Sequence, residues 1–158
     1  MTKTTDEDGN ISYEFKDKLG QIVLNKRLKN SPYGNSVHNT YYVYDDSGNL
    51  CYVLPPMAVS KATNFSDDNE VIKQYAYLYK YDARNRCVKK RIPGMEWISL
   101  VYDKADRLIF SQDGEQYNKG DWAFSIPEDF VRIVLTGICK KVKLGINAES
   151  LIAIGCLD

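Results

Sequence analysis

The stretch that decides the fold is Tyr79-Lys80-Tyr81-Asp82-Ala83-Arg84-Asn85-Arg86-Cys87-Val88. Before Asp82 the aromatic residues alternate: Tyr75, Tyr77, Tyr79 and Tyr81 stand at every second position. Period two is the spacing of side chains on one face of a β-strand, so the four rings are expected to share a face. Asp82 then opens a turn, because its carboxylate can accept hydrogen bonds from backbone N–H groups two residues on. Three residues later Asn85 occupies the position that needs a left-handed backbone, which Asn, Asp and Gly tolerate. The chain then returns along an apolar run. This is a β-hairpin closed by a type I turn with a following bulge residue.

The same pattern recurs. Tyr42-Val43-Tyr44-Asp45-Asp46-Ser47-Gly48-Asn49-Leu50 and Leu100-Val101-Tyr102-Asp103-Lys104-Ala105-Asp106-Arg107-Leu108 are good copies, and Tyr13-Glu14-Phe15-Lys16-Asp17-Lys18-Leu19-Gly20-Gln21-Ile22 is a weaker one. The left-handed position holds Gly20, Gly48, Asn85 and Asp106. The return strands are expected over Gln21–Lys26, Asn49–Leu54, Arg86–Ile92 and Arg107–Ser111, the last three ending at Pro55-Pro56, Pro93-Gly94 and Asp113-Gly114. The expected fold is therefore all-β: successive antiparallel hairpins forming an extended, curved sheet. The stretch 58–71 reads as loop, with a short helical turn over Met57–Ala62.

The Tyr-Asp pairs Tyr44-Asp45, Tyr81-Asp82 and Tyr102-Asp103, with Gly48-Asn49-Leu50, Asn85-Arg86-Cys87 and Asp106-Arg107-Leu108 after them, resemble the YD-repeat, or Rhs, family. Linking phrases such as Tyr52-Val53-Leu54-Pro55-Pro56 and Lys90-Arg91-Ile92-Pro93-Gly94 resemble those of long Rhs-type proteins of Bacteroides-like bacteria. The resemblance covers about 13–137 and divides the chain. Residues 1–12 form a flexible N-terminal segment. Units follow near 13–26, 42–56, 79–94 and 100–114, then a degenerate unit at 122–137, where Pro127 stands in place of the Tyr, and a tail at 138–158 with a short helix around Ala148–Ile154. The resemblance implies a scaffold role and an exported or cell-surface parent. No cofactor is expected.

Composition narrows the function. Lys plus Arg and Asp plus Glu both number 21, so the net charge is zero and a nucleic-acid module is not expected. One histidine, His38, excludes sites built on several His ligands. Met1–Asn10 has no apolar core of a signal peptide, and no apolar run reaches membrane-spanning length. The four cysteines, Cys51, Cys87, Cys139 and Cys156, form no C-x-x-C pair and read as reduced thiols in strands.

Each chemical candidate has a plainer reading. Asp45-Asp46-Ser47-Gly48-Asn49 lacks the ligand pattern of a calcium loop and reads as a turn. Ser66-Asp67-Asp68-Asn69-Glu70 reads as a solvated polar loop, and Lys89-Lys90-Arg91 and Lys140-Lys141-x-Lys143 as basic surface clusters. His38 has no nucleophile motif beside it, and a carboxylate pair for glycoside hydrolysis is not singled out among 21 acidic residues, so no catalytic activity is expected. Tyr44, Tyr81 and Tyr102 read as packing residues of the sheet. Tyr33, Tyr117 and Trp122, outside the Tyr-Asp turns, are the candidates for contact with a glycan or a protein partner. Self-association through exposed strand edges or an apolar face is the expected interaction.

Overall fold

A computed structural model of the chain describes residues 1–29, 34–127 and 133–140. Tyr33, Cys156, the turn of the degenerate unit at 128–132 and the helix expected around Ala148–Ile154 lie outside the described residues. The secondary structure of the described residues is antiparallel β with three short helices, and the chain divides into two units.

The first unit, Met1–Lys80 with Arg91–Met95, contains β1 (Thr2–Thr5), β2 (Ile11–Lys16), β3 (Ile22–Lys29), β4 (Ser36–Tyr44) and β5 (Leu50–Leu54), followed by α1 (Pro56–Lys61), α2 (Glu70–Tyr75) and all but the last residue of β6 (Tyr77–Tyr81). Each strand pairs antiparallel with the next, from Thr4↔Ser12 through Ser12↔Arg27, Arg27↔His38 and Tyr42↔Val53 to Val53↔Tyr77. The hairpin registers slip by one residue beside the turns, at Phe15/Lys16 and Val43/Tyr44, the mark of a bulge that adds twist.

After Leu54 the short helical turn expected over Met57–Ala62 is present as α1, residues 62–69 are non-helical, and a second helix, α2, follows from Glu70. Pro56 at the first turn of α1 has its φ already set for a helix. Asn69 caps α2, its side chain accepting from the N–H groups of Val71 and Ile72 at 2.9 and 3.3 Å. The two helices pack on each other, and α1 also lies on β4 and β5. Ala58, Ile72 and Ala76 are fully buried with Leu54 and Leu78, the core of this unit. Tyr75 is the last residue of α2 rather than part of a strand. The tyrosine alternation is therefore a strand pattern only from Tyr77, because Ile72 and Ala76 are taken into the core as a helical face.

The second unit, Tyr81–Lys90 and the described residues from Glu96 on, contains β7 (Cys87–Arg91), β8 (Ile98–Tyr102), β9 (Leu108–Gln112), α3 (Gly114–Lys119), β10 (Trp122–Pro127) and β11 (Ile133–Cys139). These strands also pair antiparallel in chain order, with the same one-residue slip at Val101/Tyr102. Val101, Ile109 and Phe110 form its core, with Trp122, Phe124 and Cys139 packed against them. Asp113-Gly114 ends β9 as expected but also starts a helix. Asp113 accepts from the Gln116 N–H at 2.8 Å while the Gln116 side chain accepts from the Asp113 N–H at 2.9 Å, a reciprocal cap. The Thr136-Gly137 step has its own reason: Gly137 stands opposite Phe124, and a Cβ there would come within 2.7 Å of the phenyl ring. Cys51, Cys87 and Cys139 form no disulfide among the described residues.

Candidate functional site

The repeated feature of both units is the row of aspartate turns. In each, one carboxylate oxygen accepts two backbone N–H groups, two and four residues on. For Asp17 these are Leu19 and Gln21 at 2.8 and 2.9 Å, and for Asp45 they are Ser47 and Asn49 at 3.0 and 2.8 Å. For Asp82 they are Arg84 and Arg86 at 2.9 and 3.0 Å, and for Asp103 they are Ala105 and Arg107, both at 2.9 Å. The left-handed position behaves as its residue types require: φ is +85° at Gly20, +84° at Gly48, +59° at Asn85 and +63° at Asp106.

A further turn of this kind lies in the segment read as a flexible N-terminus. Asp6 accepts from the Asn10 N–H at 2.7 Å and from its side-chain amide at 2.9 Å, and Gly9 has φ +76°. Its signal is the Asp-x-x-Gly-Asn spacing shared with Asp45–Asn49. It was missed because Thr5, not an aromatic residue, precedes the Asp.

The turns hold charge in a fixed state. The side-chain amide of Asn10 keeps the Asp6 carboxyl below its ordinary value, and the N–H of Asn49 does the same for Asp45. At Asp82 and Asp103 partial burial pushes the carboxyl up. The bonds from Arg86 and Arg107 outweigh it, so both end below the ordinary value. These carboxylates face their own turns, and among the described residues no group of three His, Cys, Asp or Glu side chains is arranged around a metal position.

Two contacts join one hairpin to the one before it. The hydroxyl of Tyr44 donates to the Ile22 carbonyl at 3.0 Å, and that of Tyr102 to the Cys87 carbonyl at 3.0 Å. Ile22 and Cys87 occupy the same place in their hairpins, five residues after Asp17 and Asp82. Burial raises both tyrosine pKa values, so the donors stay protonated. The residue after the left-handed position makes a second link. Gln21 donates to the Gly48 carbonyl at 2.9 Å, and Arg86 donates to the Asp103 carbonyl at 3.0 Å and to the Asp106 carboxylate at 2.8 Å. Arg84 adds a pair with Asp106 at 2.9 Å. Sequence reading found the Asp and left-handed positions but not Gln21, Arg84 and Arg86, whose partners lie in another hairpin.

A second cluster anchors the helical insert. Asp67 accepts from the Tyr52 hydroxyl at 2.5 Å and from Lys80 at 2.6 Å, and its backbone carbonyl accepts from Arg91 at 2.5 Å. Burial first, then the Asp67 carboxylate, pushes the Tyr52 hydroxyl up to about 12. Two sequence expectations are corrected here. Asp67 is bound rather than a member of a solvated loop, and Arg91 is 2% exposed rather than a surface base.

The contact candidates part company. Tyr117, on α3, is 72% exposed. Trp122 is half-buried and meets Phe110 edge to face at 6.5 Å, in the core of its unit. Tyr81, at the end of β6, is half-buried. His38 Nε2 lies 3.0 Å from Ser36 Oγ on an exposed part of β4. No described helix is long and apolar enough to cross a membrane.

No protein-family model and no curated protein matches the sequence. Solved structures share the fold. A Photorhabdus luminescens Tc holotoxin pore carrying a TccC3 mutation aligns with a TM-score of 0.64 and 15% identity, over 89% of this chain and 6% of that one. The TcdB2-TccC3-Cdc42 crystal structure, and that of TcdB2-TccC3 without the hypervariable C-terminal region, align with a TM-score of 0.64 and 16% identity, over 85% of this chain and 6% of theirs. The chain thus spans about 6% of the length of these toxin components, and the likeness is one of fold.

Proposed function

We propose that the chain is a non-enzymatic β-scaffold module of Rhs-like type, whose work is to hold successive hairpins in register and present their surfaces to other protein. The observation that carries this reading is the Tyr44–Ile22 and Tyr102–Cys87 bond, the same link at the same repeat position in both units. A side chain that ties each hairpin to the previous one is what an array needs and a catalytic centre does not. The Tyr-Asp motifs and the shared fold with Tc toxin components support the Rhs-like assignment.

Self-association belongs to the same reading. Among the described residues β1 is paired on one side only, which leaves a row of backbone groups open to another strand. In the same unit Val43, Met57 and Phe65 are 42%, 44% and 52% exposed. Zero net charge gives little repulsion between copies. The purified chain is expected to form dimers or larger oligomers at about tens of micromolar, a weak-to-moderate association. It is expected to hydrolyse no aryl-glycoside, ester or phosphodiester. Light scattering and a substrate panel test both. A turnover abolished by replacing one named carboxylate would overturn the non-enzymatic reading, and a monomer throughout that range would remove self-association.

A further inference from the structure

One face of the first unit is built differently from the rest. Register and pleat place Thr4, Ser12, Arg27 and His38 in a single row across four strands. Asn25 and Thr40 follow in the next row, beside Glu14, and Lys29 lies in the row on the other side. Together with Tyr42 and Pro56 these residues, Glu14 apart, line an open groove of about 850 Å³, within the range of small-ligand sites. The opposite face carries Leu24, Tyr41 and Val43, with Lys26 and Asn39 among them.

Arg27 sets the groove apart. Arg84, Arg86, Arg91 and Arg107 each bond a carboxylate or carbonyl of the chain. Arg27 is exposed and makes no hydrogen bond or ion pair with a described residue. Asp6, at the groove's edge, has both carboxylate oxygens bonded to Asn10 and meets Arg27 through charge alone, with no hydrogen bond or ion-pair contact. A guanidinium fork left unused by the fold matches a carboxylate in two-pronged geometry. Around it stand hydroxyl and amide groups, Ser12, Asn25 and Thr40, each able both to donate and to accept. That combination suits a ring bearing a carboxylate and neighbouring hydroxyls.

We infer that this groove binds an acidic saccharide, with Arg27 taking the carboxylate of a uronic-acid unit and Ser12, Asn25 and Thr40 its hydroxyls. An acidic peptide would offer the carboxylate with backbone N–H and C=O groups in place of vicinal hydroxyls, and the triglutamate probe below separates the two. Tyr117 and Trp122 do not line this groove, so the inferred sugar contact is separate from the aromatic residues singled out by sequence.

The test is an amide-shift titration of the whole chain with trigalacturonate, with maltotriose, a triglutamate peptide and inorganic phosphate as comparison probes. Saturable shifts confined to β2–β4 are expected with trigalacturonate, at about millimolar affinity for so open a site. Binding is expected to fall about tenfold or more with maltotriose and in Arg27→Gln, the loss of one charge-assisted bond. Arg84→Gln, at the turn rim, should bind as the parent does. Retained signal dispersion in Arg27→Gln shows that the variant is folded. Should it fail to fold, Ser12→Ala with Thr40→Ala serves in its place, with the same expected loss. No saturable shift, unchanged affinity in the folded variant, or an equal response to maltotriose, triglutamate or phosphate would each overturn the inference.

Discussion

The turns of the two units solve one backbone problem with different side chains. In the first unit glycine takes the left-handed position, at Gly9, Gly20 and Gly48, and the next residue is an amide: Asn10, Gln21 or Asn49. In the second, Asn85 and Asp106 take it, and the next residue is Arg86 or Arg107. The Asp before the turn receives Asn amides at 2.9 and 3.1 Å in one case, and guanidinium Nε groups at 2.8 and 2.7 Å in the other. Glycine removes strain but adds no contact. Asn or Asp accepts some strain, and Asp106 in return gives Arg84 and Arg86 a carboxylate to bind. The first kind of turn is held mainly by backbone freedom, the second mainly by charge.

The largest effect expected from this difference is at Gly48. A Val there must adopt φ near +84°, and its Cβ would sit 3.1 Å from the Gln21 amide nitrogen that bonds the Gly48 carbonyl. Gly48→Val should cost about 1–3 kcal/mol, the scale of a strained left-handed residue. Ser47→Val, one residue earlier and exposed, should stay within about 0.5 kcal/mol. Denaturant unfolding of the two variants decides it, and equal midpoints would contradict the turn geometry.

Next comes Asp103, whose side chain is 16% exposed. Asp103→Asn should cost about 1–2 kcal/mol at neutral pH, since it weakens charge-assisted bonds from Arg107 and two backbone N–H groups. The sign with pH follows from its lowered pKa. The bonded carboxylate stabilises the fold above the unfolded-state pKa of about 3.9, and that contribution is lost as pH falls through the lower folded value. The variant's stability should therefore fall less steeply than the parent's below about pH 4. Parallel acid profiles would show that charge does not hold this turn.

Tyr44→Phe and Tyr102→Phe test the links between hairpins. Each removes one part-buried bond of 3.0 Å, worth about 0.5–1.5 kcal/mol. Because the link is the same in both units, similar losses are expected despite the different turns. A loss at only one site would mean that the units rely on it unequally.

The turns were legible in the sequence because their logic is local. Asp45 and Gly48 act on groups within four residues, so spacing and residue type suffice. The tyrosine run shows the limit. Tyr75 fits the strand alternation, yet Asn69 caps a helix that buries Ile72, and tertiary burial overrides the period. The Asn69 cap and the Asp113-x-x-Gln116 box were local signals that could have disclosed α2 and α3. Tyr52, Asp67, Lys80 and Arg91 carried no such signal, since the residues that meet there come from four separate elements. The groove row was legible only in part. Alternation puts Asn25 and Arg27 on one face, but their neighbours Ser12, Thr40 and His38 depend on strand register.

The smallest effect should come from exchanging one kind of turn for the other. Asn85→Gly relieves a left-handed residue at φ +59°, but Asn tolerates that region well, so the gain in the folded state is small. The glycine also frees the unfolded chain, which works against stability by a few tenths of a kcal/mol or more. The two should nearly cancel, leaving a backbone contribution of less than about 0.5 kcal/mol. Asp106→Gly makes the same backbone exchange but also removes the partner of Arg84 and Arg86. That partner is 49% exposed, so solvent screening limits the further loss to about 0–1 kcal/mol. Asp106→Gly should thus be the less stable of the two at low salt, and the gap should narrow as salt is raised. A gap that ignores salt would assign the difference to backbone strain instead, and the second unit's turns would then be held as the first unit's are.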